Sequence, residues 1–106
     1  MNKIPEKLKR EMEDDPFYEC CCITGSMARN TKIEWHHNFV FAGRQVQEKW
    51  CILPLRSDIH ASIVKYKEKC DHIMLNRAND DTLRRYSKSE DLIAKRDRLN
   101  KKYASH

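Results

Sequence analysis

The sequence predicts an α+β fold: a short hairpin and a following helix at the centre, with further helices at both ends. Three observations predict it. Lys32 to His37 (KIEWHH) alternates and is rich in strand formers, and Lys49 to Leu55 (KWCILPL) reads as a second short strand. Beyond Ser57 the apolar residues recur at helical spacing instead. The outer segments carry the same helical period, and no repeat or low-complexity tract interrupts them.

Each element has its own signal. Residues 4 to 14 read as a short helix, because Ile4, Leu8 and Met12 recur every four residues and Pro5 suits a first turn. Asp14, Asp15 and Pro16 end it. Phe17 to Asn30, with three adjacent cysteines and Gly25, reads as a loop or knuckle. Asn38 to Glu48 reads as a loop around Ala42 and Gly43, and Pro54 is expected to end the second strand. Ser57 is a good N-cap for the next helix, whose apolar stripe is Ile59, Ile63, Tyr66, Cys70, Ile73 and Met74. Asn76 to Asp81 reads as a break. A last helix is expected over about 89–103, with Leu92, Ile93, Leu99 and Tyr103 on one side.

The 106 residues suffice for one domain, residues 1–106, with a modest core. Hydrophobic residues make up 40% and charged residues 35%, which fits a water-soluble surface rather than a bilayer. No apolar run approaches the roughly 20 residues needed to span one. The opening segment MNKIPEKLKREMEDD has no signal-peptide stretch, so a cytoplasmic location is expected. Five cysteines, Cys20, Cys21, Cys22, Cys51 and Cys70, then read as reduced thiols. From Arg84 to Lys102 eight basic residues outnumber three acidic ones, so the whole net charge of +5 lies in this stretch. A basic segment suits the phosphate backbone of nucleic acid, and equally a solvated surface helix.

Three histidines carry the chemistry. His36 and His37 end the first strand, and His60 falls in the first turn of the following helix. A hairpin followed by a helix can bring these ends together around one ion. Phosphodiester hydrolysis needs an attacking water, a base to deprotonate it and positive charge near the leaving oxygen. Imidazole, with an ordinary pKa of about 6.5, serves as that base at neutral pH. Neutral imidazoles also hold divalent cations while leaving positions open for water and phosphate. Adjacent side chains on a strand point in different directions, so one histidine can hold metal while its neighbour faces the water.

The segment Ile33 to His60 (IEWHHNFVFAGRQVQEKWCILPLRSDIH) resembles the HNH, or ββα-metal, nuclease family. The likeness rests on His36–His37, Pro54–Leu55 and His60 nine positions after Cys51, and covers roughly residues 20–66. It resembles in particular the small HNH proteins of phages, which implies a bacterial host cytoplasm. The resemblance implies a ββα-metal core, DNA as the partner and one divalent ion: Mg, Mn, Ni or Zn. His37 matches the general base, while His36 and His60 match the metal ligands. Two departures stand out. The family's central Asn is Cys51 here, and a thiol is a weak hydrogen-bonding group. Cys51, Asn38 and Gln47 are therefore the candidates for orienting the base. The structural zinc site of many relatives lacks its partners. Cys21 aligns with one ligand, but Thr24, Arg56 and Ile59 stand at the other three. Cys20 to Cys22 with Cys51 remain a lesser ion site.

Arg44 and Lys49, with Lys95, Arg96, Arg98, Lys101 and Lys102 of the basic segment, are candidate DNA-binding residues. Trp35, Trp50, Phe39, Phe41 and Cys70 read as core, and His72 and His106 as surface. The reading is metal-dependent hydrolysis of DNA. The alternatives are a DNA-binding or phage protein-interaction module on a catalytically decayed HNH scaffold.

Overall fold

A computed structural model describes residues 4–104, so the expectation for His106 lies outside the described residues. The fold is α+β, with five α-helices and two small antiparallel sheets among the described residues. Helix α1 (Glu6–Glu13) buries Leu8 and Met12 and is followed by a 3-10 turn at Pro16–Glu19. In the knuckle after that turn, Cys20 bridges Met27 and the Cys21 amide donates to the Ser26 carbonyl at 2.8 Å.

Strand β1 (Ile33–His37) pairs antiparallel with the fourth strand of the chain, β4 (Ile52–Arg56), His36 facing Leu53 and His37 facing Ile52. The second strand is thus shorter at its start than expected. Lys49–Cys51 forms a 3-10 turn, and the strand runs through Pro54 instead of ending there. The ladder explains why. Its hydrogen-bonded rungs include Asn38 to Cys51 and Lys32 to Ser57, so Pro54 falls on an alternate rung whose N–H would point away from β1. Its carbonyl points the same way and accepts from the Cys22 amide at 2.9 Å.

The loop after β1 holds a second hairpin, β2 (Val40–Phe41) with β3 (Arg44–Gln45), which the sequence alternation does not reveal. Its turn residues Ala42 and Gly43 both have positive φ, 53° and 78°, as a tight two-residue hairpin requires. The helix expected from Ser57 is broken in two at Ser62: α2 (Ser57–Ala61) and α3 (Ile63–Leu75). Ser57 is not its cap. Strand β4 runs directly into α2, the Ser57 amide completes the last ladder rung to Lys32, and its hydroxyl is buried without a partner among the described residues. A further helix, α4 (Asp80–Tyr86), begins at the end of the expected break and runs on beyond it, capped by Asn79. The last helix, α5 (Leu92–Tyr103), starts three residues later than expected because Asp91 caps it through the Ala94 amide.

Strand parity divides the core. Leu53 and Leu55 join Ile59, Cys70, Met74, Leu75, Leu83, Leu92 and Leu99 beneath the helices. Ile52 turns the other way, toward Leu8, Met12, Tyr18 and Trp35. Trp50 and Cys70 are buried, and Phe39 packs on Trp50 and Tyr86, as expected. His72 of α3 is partly exposed and faces α5, where it stacks on Tyr103 and bonds to Asn100. No helix among the described residues is long and apolar enough to cross a membrane.

Candidate functional site

The site grows from the end of β1, where residues alternate between two faces. Glu34 and His36 share the face of Leu53 and Leu55, toward α2 and α3. His60 projects from α2 onto that face. Its ring centroid lies 5.1 Å from that of His36, with the planes inclined by 61°. His60 Nδ1 is 2.8 Å from Glu34 Oε1. That hydrogen bond, with Lys32 alongside, lowers the Glu34 pKa below its ordinary value. Sequence reasoning does not single out Glu34. Its one signal is the spacing of two from His36, which places both on one face of a strand.

His36 is half-buried, and burial is the main cause that lowers its pKa. Asn38 opposes the shift, while His60, Lys67 and His37 add to it. Burial thereby favours the neutral imidazole, the form that binds a cation. Its Nε2 lies 3.0 Å from Asn38 Oδ1. Asn38 is buried at the last rung of the ladder, its amide donating to the Cys51 carbonyl at 2.9 Å. Its side-chain nitrogen donates to Asp71 Oδ1 at 2.9 Å and to the Met74 sulfur at 3.4 Å. Asp71, from α3, is buried and ion-paired with Lys67 and with Lys95 of α5. The sequence offers little sign of Asp71, since charged residues on a core stripe are rare without a partner.

His37 leaves β1 on the opposite face, the side of Ile52 and Trp35. Its Nε2 lies 3.1 Å from Gln47 Oε1. Of the three candidates for orienting it, Gln47 is the one whose side chain reaches it, while Asn38 serves His36. Cys51 lies wholly within the core, where burial pushes its thiol pKa up. It meets this segment through its backbone carbonyl.

His36 and His60 are the pair that could hold a divalent ion between them. Two imidazoles bound at about 2.0–2.1 Å, at tetrahedral to right angles, hold their ring centroids about 4.5–5.2 Å apart. Among the described residues no cluster of three or more His, Cys, Asp or Glu side chains surrounds one point. An ion here would take two ring nitrogens from the chain and keep its other positions open. Cys21 and Cys51 are buried in the main core and Cys22 packs against it.

Lys49 pairs with Asp15 at 2.7 Å, Lys95 with Asp71 and Glu90, Arg96 with Asp80 and Asp97, and Lys102 with Glu68. Acids of α3 and α4 thus neutralise part of the basic segment. Arg44, Arg98, Lys101 and Lys102 are all exposed at the surface. No protein-family model matches the chain, and neither does any curated protein or solved structure.

Proposed function

We propose that the chain is a metal-dependent DNA endonuclease of the HNH, or ββα-metal, type. One observation carries the reading. Two half-buried histidines from separate elements, His36 of β1 and His60 of α2, stand at metal-bridging distance, each with one ring nitrogen engaged by a neighbour. Polar partners of this kind orient metal-binding imidazoles.

In this reading His36 and His60 hold one divalent ion, of the Mg, Mn, Ni or Zn group. When bound, the ion supplies positive charge to the phosphate and the leaving oxygen. His37 takes the proton from the attacking water. Gln47 Oε1 accepts from its Nε2–H, so Nδ1 carries the open lone pair. His37 is the last residue of β1, so a phosphate at the strand end meets it from one face and the histidine pair from the other. Arg44 and Arg98 are exposed and available to neighbouring phosphates, which position DNA without specifying its sequence.

A second reading is a DNA-binding or phage protein-interaction module on a catalytically decayed HNH scaffold. It is favoured by Cys51, whose thiol is buried in the core where the family places an amide. Cleavage of supercoiled plasmid, with and without EDTA and across several divalent metals, separates the two. Metal-dependent nicking that His37→Ala abolishes supports the nuclease. Binding without cleavage in every metal supports the scaffold.

A further inference from the structure

Behind the histidine pair lies a buried charged group. Asp71 is only 5% exposed, and it receives Asn38 from just beyond β1, Lys67 from its own helix α3 and Lys95 from α5. A buried carboxylate is a costly place for charge unless all its partners are supplied.

We propose that Asp71 is a positioning residue: through Asn38 it holds His36 in one tautomer and so sets which ring nitrogen a divalent ion meets. The inference deepens the metal-site reading above and rests on it.

The argument is a chain of donors and acceptors. An Asn amide has a donating and an accepting end, and either can face a given neighbour. Here the nitrogen end has two acceptors, Asp71 Oδ1 at 2.9 Å and the Met74 thioether at 3.4 Å. Neither can donate: the thioether has no proton, and the carboxylate is paired with two ammonium groups. A flipped amide would set its oxygen against both. Asn38 Oδ1 therefore faces His36 Nε2, 3.0 Å away. An amide oxygen only accepts, so Nε2 carries the proton. Neutral imidazole has a single N–H, which leaves the lone pair on Nδ1.

His60 is set the other way round. Its Nδ1 meets Glu34 Oε1, so its Nε2 is open. An ion held by both rings would meet unlike nitrogens, Nδ1 of His36 and Nε2 of His60. The relay also reaches the C-terminal helix. Lys95 of α5 lies 3.1 Å from Asp71 Oδ2, with its side chain only 21% exposed. A residue of the basic segment thereby supports the site from behind.

Long-range 1H–15N NMR of the metal-free, full-length protein tests the relay, with His36→Gln identifying the signal. The wild type should show His36 with its proton on Nε2. Asp71→Ala should release it into a mixture of tautomers and weaken zinc binding about 10- to 100-fold by calorimetry. Asp71→Asn, which keeps an acceptor, should restore most of the preference. A wild-type His36 protonated on Nδ1 overturns the proposal, and that result needs no variant to fold. An unchanged tautomer in folded Asp71→Ala overturns it equally. If the tautomer behaves as described but wild type binds no zinc, the positioning role stands and the metal-site reading fails.

Discussion

The two faces of β1 carry adjacent histidines held in contrasting ways. His36 stands at the end of a buried relay through Asn38 to Asp71, Lys67 and Lys95, which ties together β1, α3 and α5. His37, on the other face, is hydrogen-bonded to Gln47 in the loop before β4. In the proposed reading the buried relay pre-organises His36 as a ligand, because a fixed nitrogen loses less freedom when it binds. The difference teaches that chain neighbours need not share an energetic environment when strand parity separates them.

The largest test of this comparison removes the rigid side. His36→Ala with His60→Ala should abolish the principal divalent-metal site in a calorimetric titration. Unaltered affinity would show that the 5.1 Å pair is packing alone. Next comes His37→Ala, which should cut cleavage by about 100- to 10,000-fold, or about 3 to 5 kcal/mol of barrier. Metal binding should survive it. Equal loss of metal binding in both variants would erase the distinction between the faces.

Stability should separate the faces as well. Asn38→Ala strips buried Asp71 of a donor and should cost about 1–3 kcal/mol in urea unfolding. Gln47→Ala, at a partly exposed site, should stay within about 0.5 kcal/mol. A reversal of that order would mean that the relay adds little. Within the basic residues, neutralising exposed Arg44 and Arg98 should lower the salt slope of DNA binding by about one for each phosphate that then keeps its counterion. Lys95→Gln, whose partner is Asp71, should leave the slope nearly as it was.

The smallest expected effect is in acid. Burial lowers the His36 pKa below its ordinary 6.5, so the unfolded chain takes up that proton first. The stability this contributes is complete above the unfolded value and is lost as pH falls through it toward the folded pKa. Thermal unfolding at about pH 8 and about pH 5.5 should show a larger drop for wild type than for His36→Gln. Parallel slopes would remove burial of His36 from the account.

Local pattern alone determined much of this protein. Ile4, Leu8 and Met12 marked α1, the alternation of KIEWHH marked β1, and the stripes on α3 and α5 marked their buried faces. These signals are legible because period and burial coincide within one element. That His36 and His60 come together was legible too, by residue type and spacing. Short elements were not. The β2–β3 hairpin rests on two positive-φ turn residues, and α4 on the Asn79 cap, signals too local for periodicity to register. Only the tertiary structure decided that Pro54 lies within β4, that Ser57 closes a ladder, and that Gln47, not Cys51, reaches His37. It alone joined Glu34 to His60, Asn38 to Asp71 and Lys95 to Asp71. Those partners stand 26, 33 and 24 residues apart in the chain. The pairing of a buried polar group depends on what folding brings within about 3 Å, and no local pattern encodes that distance.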